Sequence, residues 1–187
     1  MVQNRCLIIQ AHPDDEVVCF SPFFGNCDIA CITYHPERSK VLEQLSVEYN
    51  FTLYNLDYEP FVLMDKQHLI LEALESIVPS YDTLITHHFN DLHQDHNAVY
   101  ECVKKLFRFC YNKNLYLLPS IQHNWFETRF NAVLPIKLYN DIFDIFKQYK
   151  LQKTYETMFT NISNFYSTLA NNLNSKYWPT YIEFKRF

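Results

Sequence analysis

Short apolar runs rich in β-branched residues alternate along this chain with longer segments in which apolar residues recur every three or four positions. The runs predict strands at 5–10, 28–33, 51–56, 82–86 and 114–118. The longer segments predict helices at 16–24, 36–49, 65–77, 97–111, 136–152 and 155–173. The aromatic end, 177–187, is compatible with a last strand or a cap. Strands that alternate with helices predict a parallel sheet covered on both faces.

The composition favours a single globular domain over the 187 residues. Apolar residues make up 48% of the chain and aromatic residues 17%, which supplies a sizeable core. The net charge is -5 and no basic stripe occurs, so the sequence argues against a nucleic-acid partner. No apolar run is long enough to span a bilayer, and we expect a cytoplasmic protein.

The cysteines and the scarcity of glycine narrow the kinds of binding site that the chain can form. The six cysteines form no C-x-x-C pair, and we expect them to be reduced thiols of the core. The single glycine, Gly25, excludes a P-loop and a G-x-G-x-x-G dinucleotide fingerprint, because both need several glycines. Asn, Asp and Pro must therefore form most of the turns.

Two clusters of polar residues follow apolar, β-branched runs. Residues 11–16 read A-H-P-D-D-E after the first predicted strand, and residues 91–96 read D-L-H-Q-D-H after the fourth. Either string alone would more often be a turn or a helix cap, since Asp caps helices readily. Ligands of parallel sheets bind beyond the carboxyl ends of the strands, so both clusters are expected at one rim. Their joint occurrence favours a shared site.

The two clusters together contain the donors of a catalytic metal. His12, Asp15 and His96 give three protein ligands, and catalytic zinc commonly leaves its fourth position to water. Such a metal lowers the pKa of that water and polarises a carbonyl group. Asp14 is placed to act as general base, and His93 to stabilise the oxyanion or to protonate the leaving amine. The same ligand types would also serve a 2-His-1-carboxylate iron site, but the extra base favours hydrolysis.

At these residues the chain resembles the PIG-L (LmbE-like) family of zinc-dependent N-acetyl-sugar deacetylases, which carries an A-H-P-D-D-E string and a later H-x-D-H string. The resemblance implies a Rossmann-like three-layer α/β sandwich with a mostly parallel sheet, formed by one domain over 1–187. It implies zinc on His12, Asp15 and His96, with Asp14 as base, His93 as oxyanion stabiliser or acid, and Asp95 orienting His93 or the ligand loop. It also implies a substrate-facing arginine at Arg38. The family's glycine pair after the first string is absent here, which predicts a differently shaped substrate pocket.

The leading hypothesis is therefore hydrolysis of the acetamido group of an N-acetylated sugar or sugar conjugate, with Zn²⁺ or another divalent cation as cofactor. Trp125 is a candidate for stacking on the sugar. Two alternatives remain: an amidohydrolase that acts on a non-sugar amide, and a non-catalytic carbohydrate-binding protein that keeps the fold. The sequence leaves the oligomeric state open.

Overall fold

The protein contains eight strands and four α-helices within the residues that a computed structural model describes, which are 5–20, 23–109, 113–118, 132–135, 148–149, 177–180 and 183–184. The strands are β1 Cys6–Gln10, β2 Asp28–Thr33, β3 Leu53–Tyr58, β4 Thr83–His87, β5 Asn114–Leu118, β6 Ala132–Pro135, β7 Tyr177–Thr180 and β8 Glu183–Phe184. The helices are α1 Asp15–Val18, α2 Arg38–Glu48, α3 Gln67–Ile77 and α4 Gln94–Phe107. A 3-10 turn, Val78–Ser80, follows α3.

Six of the strands form one sheet in the order β3-β2-β1-β4-β5-β8. All neighbours in it are parallel except β5 and β8, which are antiparallel, so the predicted mostly parallel sheet is confirmed. Strands β6 and β7 form a separate antiparallel pair. The chain winds outward from β1 in both directions, and the order reverses between β1 and β4. In open α/β sheets that reversal opens a crevice suited to a ligand.

Successive side chains of the central strands point to opposite faces of the sheet and build two cores. One core contains Ile8, Ile29 and Ile85 and is covered by α1 and α2. The other contains Leu7 and Ile9 and is covered by α3 and α4. This arrangement confirms the three-layer α/β sandwich. Within the described residues, no helix combines the length and the apolar character that crossing a bilayer would require.

Three element boundaries differ from the pattern for identifiable reasons. Helix α4 begins at Gln94 rather than 97, because the ring of His93 caps it: Nδ1 accepts the Asp95 amide at 3.2 Å. Strand β3 begins two residues late, since the Thr52 amide donates to the Asp28 side chain at 2.7 Å. Helix α1 is a single turn instead of 16–24, and Pro22 could not have donated a helical amide. The helices predicted at 136–152 and 155–173 lie outside the described residues, apart from 148–149.

The expectation that all cysteines are reduced thiols is wrong for one pair. Cys6 and Cys27 form a disulfide, with their Cα atoms 4.7 Å apart. The parallel register that pairs Leu7 with Asp28 sets the two preceding residues side by side, which the sequence alone does not reveal. Three other cysteines, Cys19, Cys31 and Cys102, are free and buried.

The expected use of Asn and Asp in place of glycine is visible in the backbone. Asn50 and Asp57 have φ values of 55° and 56°, in the left-handed region that glycine otherwise occupies. Gly25 itself has φ 76°. Asp14, in the first polar cluster, has φ 123°, and this strained residue is where the functional site begins.

Candidate metal centre

The two polar clusters meet at the crevice between β1 and β4. The first follows β1 directly, and the second connects β4 to the first turn of α4. His12 and Asp95 are 83 positions apart in the chain, yet His12 Nε2 and Asp95 Oδ2 lie 3.0 Å apart. The spatial convergence that the sequence predicts is therefore present.

Asp15 lies at the centre of the site, surrounded by imidazoles. Its Oδ2 lies 3.5 Å from His12 Nδ1 and 3.4 Å from His87 Nε2, and its Oδ1 lies 3.4 Å from His96 Nε2. The His12 backbone amide also donates to Oδ2 at 2.7 Å, which fixes the carboxylate. Two of the predicted ligands, His12 and His96, thus flank the third.

These residues fit a divalent cation. With bonds of about 2.0–2.2 Å to nitrogen and oxygen, the ligand atoms of a tetrahedral zinc lie roughly 3.4 Å apart. The distances from Asp15 to its imidazole neighbours match that spacing. His12, His93 and His96 also place one donor atom each within 4.8 Å of one another. His93 thus lies close enough to His12 and His96 to be a further candidate ligand beside the predicted set.

Electrostatics of the cluster also favour a cation. Although burial opposes it, the charges of His96 and His87 hold the pKa of Asp15 well below its ordinary value. In return, and again against the effect of burial, hydrogen bonds and charge from Asp15 raise the pKa of His12 to about 9 and that of His96 to about 10. Positive charge is therefore stabilised at the imidazoles on either side of Asp15.

Asp95 and Asp91 each hold one of the predicted ligand imidazoles. Asp95 Oδ2 pairs with His12. Of the two partners predicted for Asp95, its carboxylate therefore contacts the loop of the first polar cluster and not the ring of His93. Asp91 Oδ2 lies 3.0 Å from His96 Nδ1, on the side of the ring opposite Asp15. Carboxylates in such positions fix the orientation of a metal-ligating imidazole. Asp91 belongs to the second string, but the sequence assigned it no role, because its partner is known only once α4 is in place.

The side chain of Asp14 contacts the first residue of α2. Its Oδ2 accepts a hydrogen bond from Arg38 Nη1 at 2.8 Å. Burial and the charge of Asp15 raise the pKa of Asp14 to about 8, and Arg38 opposes that shift. The structure therefore brings the predicted base and the predicted substrate-facing arginine into direct contact.

Glu16 is a buried hub that the sequence analysis assigned no function. It is 0% exposed, and its Oε2 accepts from Gln10 Nε2 at 2.8 Å and from the Asp14 amide at 3.1 Å. Its Oε1 accepts from the hydroxyl of Tyr149, 133 positions away. Glu16 thus anchors the strained backbone of Asp14 to the sheet and to a distant part of the chain.

Two further residues line the buried side of the site. His87 ends β4, is 0% exposed, and stacks on His96 with ring centroids 3.8 Å apart. Burial lowers the pKa of His87 to about 4, and its Nε2 accepts the Ala11 amide at 3.0 Å. Cys19 Sγ lies 3.7 Å from Asp15 Oδ1. Neither His87 nor Cys19 is among the site residues predicted from the sequence.

Phe61 forms an exposed aromatic surface at the open side of the site. It is 67% exposed, has φ 67°, and its ring centroid lies 5.7 Å from that of His93. The Phe61 amide donates to Asp95 Oδ2 at 2.7 Å, and its carbonyl accepts from Gln94 Nε2 at 3.1 Å. The aromatic residue that the sequence suggested, Trp125, lies outside the described residues.

No protein-family model matches this chain, and no curated protein matches it in sequence. Solved structures do match in fold. The conserved protein TT1542 from Thermus thermophilus has a TM-score of 0.76 at 15% identity, over 98% of this chain and 95% of that one. GalB, the 4-carboxy-2-hydroxymuconate hydratase from Pseudomonas putida, has a TM-score of 0.73 at 11% identity, over 99% of this chain and 98% of that one. An N,N'-diacetylchitobiose deacetylase from Pyrococcus horikoshii has a TM-score of 0.67 at 11% identity, over 97% of this chain and 84% of that one. At these identities the likeness shows a shared α/β fold.

Proposed function

We propose that this chain is a metal-dependent hydrolase that removes the acetyl group from an N-acetylated sugar or sugar conjugate, as one domain of the PIG-L (LmbE-like) type. The observation that carries the proposal is Asp15, which lies 3.4–3.5 Å from three imidazole nitrogens at the crevice between β1 and β4. The fold shared with a chitobiose deacetylase and the two sequence strings support the same chemistry.

His12, Asp15 and His96 are the residues proposed to hold the cation, with zinc expected. When bound, such a cation acts as a Lewis acid on a carbonyl group and lowers the pKa of water toward neutrality. Asp95 and Asp91 keep the two imidazoles in place from behind. The ligand carboxylate is positioned independently, by the His12 amide.

Asp14 is proposed to remove the proton from the attacking water. A base must be ionised, and burial next to Asp15 disfavours that form, so the charge of Arg38 at 2.8 Å is what supports it. Arg38 would therefore position and tune the base in addition to meeting the substrate. The raised pKa of Asp14 also suits its second task, which is to pass the proton on to the leaving amine.

His93 is proposed to stabilise the oxyanion. Its Nδ1 accepts the Asp95 amide, so the neutral ring carries its proton on Nε2. Burial and the charges of His12 and His96 lower the pKa of His93, which favours this neutral, donating form. A neutral donor can hydrogen-bond to negative charge that develops in the transition state.

Phe61 is proposed as a platform for the apolar face of the sugar. It is exposed, it is next to His93, and two hydrogen bonds hold its strained backbone in place. Changing Phe61 to Ala is expected to raise KM for an N-acetylated sugar with little change in kcat. The matched control is Phe109→Ala, a phenylalanine that is 80% exposed and lies beyond the far end of α4. Equal effects of the two variants on KM would argue against the platform.

The central experiment measures acetate release from N-acetylglucosamine and N,N'-diacetylchitobiose by zinc-loaded protein. Asp14→Asn should lower kcat by about 10²–10⁴-fold while zinc still binds, because loss of a general base typically costs that much. Ser39→Ala, a buried polar change in the same helix as Arg38, controls for disturbance of the α2 region. Full activity in Asp14→Asn would remove Asp14 from the mechanism.

A second candidate is hydration of a carbon–carbon double bond in an unsaturated carboxylate, favoured by the structural likeness to GalB. Arg38 would then bind the substrate carboxylate in place of supporting a base. The two candidates separate in one panel: acetate release from N-acetyl sugars indicates the deacetylase, and loss of the near-ultraviolet absorbance of a hydroxymuconate indicates the hydratase.

A further inference from the structure

His87 ends β4 on the buried side of the site, and the proposed hydrolysis gives it no task. Its side chain is 0% exposed, and its Nε2 accepts the Ala11 amide at 3.0 Å. An imidazole nitrogen that accepts a hydrogen bond carries no proton, so the ring is neutral and its proton is on Nδ1. His87 therefore presents a hydrogen-bond acceptor at its edge and an aromatic face, and the two contact different polar clusters.

The hydrogen bond to Ala11 fixes the first polar cluster at the point where the chain leaves the sheet. The parallel ladder between β1 and β4 ends at Ile9, so the Ala11 amide lies beyond it and has the imidazole of His87 as its acceptor. On the other side of β1, the Ala11 carbonyl accepts from the amide and the hydroxyl of Thr33, both at 2.8 Å. Ala11 is thus held from both neighbouring strands, and the next residue in the chain is His12.

The aromatic face of His87 fixes the second polar cluster. Its ring stacks on that of His96, with centroids 3.8 Å apart and planes within 10° of parallel. Asp91 Oδ2 lies 3.0 Å from Nδ1 at the edge of the His96 ring. With one neighbour at its face and another at its edge, this ring is held against rotation, and its Nε2 stays 3.4 Å from Asp15 Oδ1. Because nearly parallel stacked rings direct their nitrogens along separate planes, His87 is not placed to share an ion with His96.

We propose that His87 is a positioning residue that holds the two polar clusters in register for metal binding, an inference that rests on the proposed function. One side chain contacts both the residue before His12 and the ring of His96. A phenylalanine would supply only the stack and a glutamine only the acceptor, whereas histidine combines them. Groups that orient metal ligands from behind typically contribute about 10–100-fold to metal affinity.

Two variants separate the contacts, and the zinc affinity of the metal-free protein is the readout. His87→Gln keeps an acceptor for the Ala11 amide and loses the stack, whereas His87→Phe keeps a ring on His96 and loses the acceptor. In each variant we expect the zinc dissociation constant, measured by competition with a chromophoric chelator, to rise about 10–100-fold. Wild-type zinc affinity in both variants would overturn the proposal.

Thr86→Val is the matched control for a merely structural role. It removes a buried hydrogen bond between the same two strands, from Thr86 Oγ1 to the Ile9 carbonyl at 2.9 Å, which lies outside both polar clusters. We expect this variant to have a lower urea midpoint than the wild type and the same zinc affinity. A loss of zinc affinity in Thr86→Val as large as that in the His87 variants would show that the metal site only follows the stability of the sheet.

Nuclear magnetic resonance distinguishes a positioning residue from a ligand. The hydrogen bond between the Ala11 amide and His87 Nε2 joins two nitrogens, so a scalar coupling between their nuclei is expected in isotope-labelled protein. The coupling should persist when zinc is added, because a positioning residue keeps its hydrogen bond. Its disappearance on zinc binding would show that His87 is itself a ligand and would overturn the proposal.

Neither measurement needs turnover, so the inference and the proposed function can fail separately. Reduced zinc affinity in both His87 variants, with no acetate release by the zinc-loaded wild type, would refute the proposed function and leave the positioning role standing. Acetate release by the wild type, together with wild-type zinc affinity in both variants, would do the reverse.

Discussion

Replacing Glu16 with Ala should destabilise the fold around the site while changing none of the proposed ligands. The side chain is fully buried and accepts three hydrogen bonds, from Gln10, Tyr149 and the Asp14 amide. Alanine leaves these donors buried without this acceptor, and each such loss costs about 1–3 kcal/mol. Because neighbouring losses are not additive, we expect the free energy of unfolding to fall by about 3–5 kcal/mol.

Glu16→Gln provides the matched comparison. Its amide oxygen can accept from Gln10 and Asp14, and its NH2 group can donate to the hydroxyl oxygen of Tyr149, so the expected loss is only about 1 kcal/mol. With a urea m-value of about 2 kcal/mol/M, the Ala variant should shift the unfolding midpoint by about 1.5–2.5 M and the Gln variant by about 0.5 M. Glu101→Ala, which breaks a surface pair with Lys104, should stay within about 0.5 kcal/mol of the wild type.

The same variants test whether Glu16 positions Asp14. Asp14 has φ 123°, and without an acceptor for its amide this strained backbone can relax. A displacement of the proposed base by about 1 Å can cost about 10²-fold in rate, so Glu16→Ala should lose that much in kcat while Glu16→Gln keeps most of it. Equal urea midpoints for Glu16→Ala and the wild type would refute the reasoning about the hub.

The pH dependence of stability gives an independent check on Glu16. Burial raises its pKa above the ordinary value of 4.5. In the folded state the carboxyl therefore keeps its proton to higher pH than in the unfolded chain, and stability falls as pH rises above about 4.5. Glu16→Gln lacks this titration, so its stability relative to the wild type should improve over the same range. A constant difference between the two proteins would show that the Glu16 pKa is not raised.

Two further predictions concern the opposite end of the sheet. Hydrogen bonds from Tyr81 and Thr52 outweigh the effect of burial and hold the pKa of Asp28 below 3.8. Asp28→Asn should therefore lower the free energy of unfolding by about 1–3 kcal/mol at neutral pH. The difference from the wild type should shrink as acid protonates the wild-type carboxylate below about pH 3.8. The Cys6–Cys27 disulfide closes a loop with a sequence separation of 21, which corresponds to about 3 kcal/mol; reductant should lower the wild-type urea midpoint and leave that of Cys27→Ser unchanged.

The strands of the sheet were predictable because each buried strand is a continuous apolar run in the sequence. Strands β2 and β5 have the predicted bounds, and β1 and β4 lie within a residue of theirs, since strands buried on both faces must be apolar along their whole length. The start of α4 was missed because its cap is His93, a residue type that seldom caps helices. The disulfide was missed because strand register, rather than any spacing of cysteines, brings Cys6 to Cys27.

The meeting of the two polar clusters was predictable because both follow strands. His12, Asp15 and His96 could be named as candidate ligands because the ends of parallel strands share one rim. The supporting residues could not, because their roles depend on distant partners. Glu16 accepts a hydrogen bond from Tyr149, 133 positions away, and Phe61 is held beside the site by the hydrogen bond from its amide to Asp95. An exposed phenylalanine in a connecting loop carries no pattern of its own.

The consecutive carboxylates Asp14 and Asp15 show how one strained residue can place two neighbouring side chains in different environments. Asp14 has a positive φ and its side chain pairs with Arg38, while the side chain of Asp15 lies among the imidazoles. The two environments then separate the pKa values: Asp15 is held in its ionised form, as a ligand must be, and Asp14 is raised to about 8, near the range in which a base can both take and return a proton. Neighbouring carboxylates with equal environments would repel each other and titrate together. The backbone conformation of Asp14, held by Glu16, would therefore allow adjacent residues to serve as the proposed ligand and the proposed base.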